Sequence, residues 1–325
     1  MTLRTYIIRR ILVVIPIFLL ISIIIFFMVH AAPGDPARIL VGERSRIRPE
    51  VREEWMRRLG LDQPVPVQYI LWLGRLLQGN LGYSFQNNKP VTQAIGERVQ
   101  LTLELMLVAE IISVMIGVVL GVIAAVKHYS VIDGLTSLVA LIGYSTPNFW
   151  LAMMLILVFA LQLRWFPPGG TQTLGITFAT PLHSLVDHLK HLVLPVSVLV
   201  LVWTAYLFRM VRTSMLEVLG QDYITTARAK GLKERIVIYK HALRNALLPV
   251  ITYEGYSVGY LFAGAVVIEY VFNWFGLGSF IVDMTILRDY PSVIGIAVVI
   301  AVMVLMANLA ADIAYAFADP RIRYD

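Results

Sequence analysis

The 325-residue sequence contains no cysteine, and only 15% of its residues are charged. Without cysteine there is no disulfide framework, no cysteine zinc site and no thiol nucleophile. The scarcity of charge, with 58% hydrophobic residues and a mean hydropathy of +0.74, excludes the polar surface that a soluble domain of this length needs. The composition therefore predicts a membrane protein, and no soluble catalytic domain is visible.

The sequence also lacks the glycine-lysine pair that ends the phosphate-binding loop of ATPases, since no lysine is directly preceded by glycine. Any ATP that drives this protein must be hydrolysed by another polypeptide. The formal net charge of +6 does not predict a nucleic-acid partner, because in a membrane chain Lys and Arg usually report orientation. No cofactor and no bound metal are expected.

Long uncharged windows are what the sequence does contain, and about 20 apolar residues in a helix cross the hydrocarbon core of a bilayer. Four windows carry no charge: 11–34, 134–163, 191–208 and 290–311. Two more, 101–126 and 245–268, are interrupted only by Glu104, Glu110 and Glu254. The sequence therefore predicts an all-α membrane protein with six transmembrane helices, the first of which is retained rather than cleaved as a signal peptide.

The distribution of Lys and Arg predicts the orientation. The two short loops on one side carry only Arg164, Lys190 and Arg288, whereas the segments on the other side, 209–244 above all, are rich in Lys and Arg. By the positive-inside rule, both termini are cytoplasmic in a multi-pass protein of the cell membrane. The long segment after the first helix is basic as well, but long segments cross a membrane largely regardless of charge.

This topology divides the chain into an N-terminal tail with helix one (1–31), an extracytoplasmic helical insertion (32–99) and a membrane core (100–325) that includes a cytosolic segment (213–245). Within the insertion, the spacing of Val51, Trp55 and Leu59 predicts one amphipathic helix, and a second is expected from Pro66 to Gly79. These helices either rest on the lipid headgroups or form a docking surface above the pore.

The stretch from Asp222 to Val250 is a small, basic segment between two apolar windows. Asp222 can cap a short helix with a small-residue face, and Gly231 can end it in the left-handed conformation. A second helix comes next, with Ile236, Tyr239 and Leu243 on one side, suited to the inner membrane interface. Pro249 then lies in the first turn of span five. Charge alone also fits a solvated loop held by anionic lipid.

Eleven short motifs carry a resemblance to a known family. "DYITTARAKGL" with "HALRNALLP" resembles the signature of the dipeptide, oligopeptide and nickel permeases of ATP-binding-cassette (ABC) importers, although the Glu and first Ala of the general importer signature are absent. The other matches run along most of the chain: "RRILVVIP", "APGDPAR", "LGLDQPVPVQY", "GNLGYSF", "TPNFW", "WFPPGG", "FNWFGLGSF", "LRDYP" and "ADPRIRY".

The resemblance implies a transport subunit rather than an enzyme. Its partners would be two cytosolic ABC ATPase subunits, a second homologous permease and an extracytoplasmic solute-binding protein. The cargo would be a small peptide, with nickel, glutathione or an oligosaccharide as alternatives. The segment implied to couple to the ATPases comprises Asp222, Tyr223, Thr225, Thr226, Ala227, Arg228, Ala229, Lys230, Gly231 and Leu232. We call these residues, with Ile224 between them, the coupling segment.

Glu110 and Glu254 lie inside predicted spans, where a charge is costly and normally faces a cavity or a partner. Two roles stay open for them. They either pack the bundle through hydrogen bonds, with Arg209 or Arg212 as candidate partners, or line the translocation path and meet the ammonium group of a solute.

Two further patterns favour rival functions. Gly255 to Gly259 matches the G-x-S-x-G motif of serine hydrolases, but a nucleophile elbow needs a strand-to-helix turn, and here close helix packing is favoured, as at Gly117 and Gly121. A cluster of His183, Asp187, His188 and His191 could ligate a metal but is more typical of a solvated helix end. A secondary transporter or channel, driven by an ion gradient, is the remaining alternative.

Overall fold

The computed structural model describes residues 3–31, 62–84, 86–176 and 178–318, and these residues form helices with a single isolated β-bridge, Tyr83 to Pro90. The α-helices are α1 Leu3–Ala31, α2 Val65–Leu77, α3 Val91–Val126, α4 Val131–Ser145, α5 Asn148–Leu155, α6 Pro181–Leu219, α7 Asp222–Ala229, α8 Glu234–Ile236, α9 Leu243–Ala246, α10 Leu248–Leu261, α11 Val266–Val271, α12 Leu277–Ile286 and α13 Tyr290–Ala318. Two π-helical stretches, Ile156–Gln162 and Val237–Ala242, continue α5 and α8.

Four of the helices in the described part of the chain are long and apolar enough to cross a membrane, at Ile8–Met28, Val91–Val126, Pro181–Leu219 and Tyr290–Ile313. Two bent helix pairs raise the number of candidate spans to six if each pair is one span. The all-helical membrane architecture predicted from the sequence is confirmed, and the six predicted windows each coincide with one of these helices or pairs.

The third predicted span is not one straight helix. The halves Val131–Ser145 and Asn148–Gln162 meet at 104°. Thr146 and Pro147 between them have extended backbone, with ψ of 129° and 130°. A proline disfavours helical geometry in the residue before it and cannot donate to a helical hydrogen bond, so the apolar window contains a break that Pro147 enforces.

The fifth predicted span is bent as well, by 41° between Glu234–Gly255 and Gly259–Val271. Its start agrees with the prediction, since Pro249 lies in the first turn of α10. Helix α2 begins beside Pro66 and ends two residues before Gly79, which has a φ of +77°, and so confirms the second predicted helix of the insertion. The first predicted helix, around Trp55, lies outside the described residues.

The chain forms two compact units, and the first comprises Met1–Leu101 and Gly276–Asp325. Arg10 pairs with Asp312, joining α1 to α13. An apolar core of residues from α3, α12 and α13 includes Val91, Phe280 and Ile296. The buried carboxylate of Asp289 accepts hydrogen bonds from the Ser84 hydroxyl at 2.6 Å and from Ser292, which fixes the segment before α3 to the start of α13.

The second unit, Thr102–Phe275, holds most of the predicted functional residues. Its helices α3 and α6 approach closely, because a Cβ added at Gly117 or Gly121 would lie 2.7 Å from the Cβ of Leu207 or Val211. The predicted packing role of this G-x-x-x-G pair is confirmed.

Candidate functional site

The coupling segment is a two-turn helix, α7, that ends where the sequence predicted. Gly231 has a φ of +76°, in the left-handed region that glycine enters at little cost, and its amide donates to the carbonyl of Arg228 at 2.9 Å. The predicted cap is wrong by one residue, since Gln221 occupies the N-cap position and Asp222 lies in the first turn. There the Asp222 carboxylate is close to the positive end of the helix dipole.

Two side chains anchor α7 in the core of its unit. Ile224 is fully buried and Ala227 is 7% exposed. They belong to one apolar cluster with Val211 and Met215 of α6 and with Val237 of the π-helix. The other residues of the coupling segment are exposed. Ala227 therefore packs in the core of this unit, whereas the other nine residues predicted to contact the ATPase subunits are accessible on the surface.

Polar contacts join both ends of the coupling segment to the helices that come after it. Asn245 donates through Nδ2 to the Tyr223 hydroxyl at 2.8 Å, which joins α7 to α9. The Arg228 guanidinium contacts the Glu234 carboxylate at 2.7 Å, and this partner raises the pKa of Arg228. Both charged groups of the ion pair are solvent-exposed, so water screens it and it stabilises the turn only weakly.

The helix after the coupling segment buries a face that the sequence did not single out. Ile236 and Tyr239, which the sequence placed on a side suited to the membrane interface, are exposed, and that interfacial role stays a prediction. Val237 and Ala242 are fully buried instead. They lie five residues apart, which is the hydrogen-bond spacing of a π-helix, so the wider turn directs both toward the core. A regular 3.6-residue period could not have predicted this choice.

Glu110 and Glu254 meet at a serine that belongs to the G-x-S-x-G match. The Ser257 hydroxyl lies 3.2 Å from Oε1 of Glu110 and 3.0 Å from Oε2 of Glu254. The other oxygen of Glu254, Oε1, is buried and has no hydrogen-bond partner among the described residues. Ser257 is inside α10, not at the strand-to-helix turn of a nucleophile elbow.

The two arginines considered as partners for these glutamates are engaged elsewhere. Arg212 contacts the buried carboxylate of Asp133 through Nε at 2.6 Å and through a terminal nitrogen at 2.9 Å. The guanidinium of Arg209 lies over the ring of Tyr144, 4.6 Å from its centre. No sequence signal pointed to Asp133 as a partner, since it stands 79 residues from Arg212 along the chain.

The histidine cluster is divided among separate contacts. Asp187 accepts from the amide and hydroxyl of Thr173, and His188 contacts Oε1 of Glu104 at 2.8 Å. His191 bonds to the backbone carbonyl of Asp187, and His183 to the hydroxyl of Thr180. Within the described residues, no group of three or more His, Cys, Asp or Glu side chains is arranged to hold a metal.

Comparison with known proteins covers nearly the whole chain. The family model described as the inner membrane component of binding-protein-dependent transport systems matches residues 117–324. A second, described as the N-terminal part of the membrane component of such systems, matches residues 3–106.

Curated relatives carry names of the same kind. The chain is 45% identical over 320 residues to the oligopeptide transport system permease protein AppB of Bacillus subtilis, covering 98% of this chain and 99% of that one. It is 41% identical to the dipeptide transport system permease protein DppB of Escherichia coli, with 98% of each chain covered. It is 40% identical to the di/tripeptide transport system permease protein DppB of Pseudomonas aeruginosa, covering 98% and 99%.

Proposed function

Because the chain belongs to the family of inner membrane components of binding-protein-dependent transport systems, we propose that it is the permease subunit of an ATP-driven importer of di- and oligopeptides. The observation that carries the cargo assignment is the identity of 40–45%, over nearly the full chain, to subunits named for peptide transport. Nickel, glutathione and oligosaccharides are the alternative cargoes. The chain itself catalyses no reaction in this proposal.

The assembly that we propose contains two ATPase subunits on the cytosolic side, a second homologous permease and an extracytoplasmic binding protein. Both termini of this chain are cytoplasmic, residues 32–99 form the extracytoplasmic insertion, and residues 213–245 within the membrane core 100–325 carry the coupling segment. The burial of Ile224 and Ala227 supports the coupling role, because an anchored helix transmits displacement to α6 and α10 instead of bending away.

The transport cycle depends on this arrangement. Closure of the ATPases on ATP displaces the coupling segments, and the helices attached to them shift between inward-open and outward-open states. Glu110 and Glu254 line the translocation path, where they meet the ammonium group of the peptide. The meeting of the two carboxyl groups at Ser257 supports this role, since two like-charged groups held together are stabilised by a cationic ligand.

Reconstitution tests the proposal. The purified transporter, with ATPase and partner permease subunits, is placed in vesicles with the binding protein, and uptake of a radiolabelled dipeptide is measured with and without ATP. We expect uptake only with ATP and with all subunits present. Uptake by this chain alone, driven by an ion gradient, would establish the secondary transporter instead.

A further inference from the structure

A cavity of about 380 Å³ lies in the unit Thr102–Phe275, on the side of the coupling segment. Its walls come from α4, α6 and α10: Tyr144, Tyr206, Arg209, Met210, Thr213, Ser214, Glu217 and Pro249. We propose that this cavity binds the peptide cargo by its two terminal charges, with Arg209 on the carboxylate and Glu217 on the ammonium group. This inference rests on the proposed function.

Arg209 is prepared to bind a carboxylate. Its guanidinium lies over the Tyr144 ring, which fixes the plane of the group and leaves its edge, where the N–H donors are, free to face the cavity. A guanidinium donates two parallel hydrogen bonds to a carboxylate, the strongest arrangement available to it. Among the described residues, no carboxylate pairs with Arg209, so this capacity is left for a ligand.

The opposite charge stands two turns further along the same helix. Arg209, Thr213 and Glu217 recur every four residues and line one cavity. Eight residues of α-helix rise about 12 Å. An extended peptide spans about 3.3–3.6 Å per residue, so a chain of three or four residues places its termini about that far apart. The separation of the two residues along α6 therefore matches the length of short zwitterionic peptides.

The remaining walls suit a cargo with variable side chains. Tyr144 and Tyr206 offer aromatic surface that packs against many side chains without selecting one. The ring of Tyr206 lies 4.7 Å from that of Tyr253, the residue before Glu254. A wall of the cavity thus contacts α10, the helix that carries Glu254. The volume of the cavity falls in the range of small-ligand pockets. A contact surface for another membrane helix would instead favour small residues that let the two backbones approach closely.

Equilibrium binding to the complete transporter tests the assignment. The complex is placed in phosphatidylcholine nanodiscs without nucleotide or binding protein, and radiolabelled trialanine is displaced by trialanine, trialanine amide or N-acetyl-trialanine. The wild type should prefer the free carboxylate to the amide by about tenfold, the value of one charge-assisted hydrogen-bond contact. Arg209→Gln should erase this preference, and Glu217→Gln should erase the preference for a free ammonium group.

Two further variants sharpen the comparison. Arg209→Lys keeps the positive charge but lacks the two parallel N–H donors of the guanidinium, so we expect it to retain part of the carboxylate preference. Lys190→Gln removes a positive charge from an exposed residue outside the cavity and should leave both preferences unchanged. Size-exclusion chromatography with subunit staining records whether each variant still holds the partner permease.

Three outcomes overturn the inference: a wild type that binds no trialanine, an Arg209→Gln complex that keeps the carboxylate preference, or an Arg209→Gln chain that loses the partner permease. The last would make Arg209 an interface residue. Vesicle uptake separates these failures from failure of the proposed function. If the wild type imports a peptide on ATP hydrolysis, only the cavity assignment falls, whereas an intact complex that hydrolyses ATP without importing peptides contradicts the function itself.

Discussion

At the scale of single residues, the charged side chains inside the spans carry most of the information about function. The sequence identified Glu110 and Glu254 because a charged side chain inside a bilayer is energetically costly and normally faces a cavity or a partner. It could not show that Glu110 meets Ser257, or that Arg212 pairs with Asp133, because those contacts join residues 147 and 79 positions apart. The identity of a costly residue is local information, whereas its partner depends on the tertiary fold.

Glu254→Gln should lower peptide uptake more than it lowers assembly of the transporter. The amide keeps the size and one acceptor oxygen, so packing around Ser257 survives, but one of the two carboxyl groups that together attract an ammonium group is lost. Uptake in vesicles and subunit recovery after purification measure the two effects. Glu97→Gln, at a carboxylate that pairs with Lys89 and is half-exposed, is the matched control. Full uptake by Glu254→Gln would remove the path role.

Asp133 and Arg212 should be energetically coupled. The Asp133 carboxylate is buried and accepts two hydrogen bonds from Arg212, so removal of Arg212 takes away its one cationic guanidinium partner and leaves it weaker hydrogen-bond contacts, such as that with the Tyr129 amide. We expect a coupling energy of about 1–3 kcal/mol from Asp133→Asn, Arg212→Gln and the double variant. Detergent-induced unfolding of the purified protein provides the free energies. Additive effects of the two substitutions would show that the contact stabilises nothing.

At the scale of elements, apolar windows predicted where helices lie better than how they bend. The window 134–163 has the length of one span, yet Pro147 divides it into two helices at 104°. The coupling segment ends at its predicted signal, since Gly231 adopts the left-handed conformation. Its anchor was missed because Ile224 is a single large apolar residue in a polar helix, too little for a periodic pattern.

Ile224→Ala should loosen the coupling segment without removing any of its exposed surface. Truncation of a buried isoleucine costs about 2–5 kcal/mol, and here the loss falls on the core that joins α7 to α6. We expect faster amide hydrogen exchange across residues 222–229 and fewer peptides imported for each ATP hydrolysed. Ile236→Ala makes the same change at an exposed isoleucine of the neighbouring helix and should alter neither. Unchanged exchange in Ile224→Ala would refute the anchoring role.

At the scale of the whole molecule, composition indicated a membrane protein and the uncharged windows indicated its helices, while the absence of a phosphate-binding lysine loop pointed to an external source of energy. The motifs spread along the chain indicated the family, which the matches over residues 3–106 and 117–324 confirm. Composition and motifs could not predict the division into two compact units. The boundary between the units falls after Leu101, inside α3.

The central claim is that the exposed face of the coupling segment transmits work from partner ATPases to this chain. The most direct measurement is the number of peptides imported per ATP hydrolysed in vesicles containing the complete transporter. Thr226→Arg places a bulky charge on that exposed face and leaves the buried anchors intact. We expect import to fall to background while ATP hydrolysis continues. A wild-type ratio of import to hydrolysis in this variant would contradict the claim.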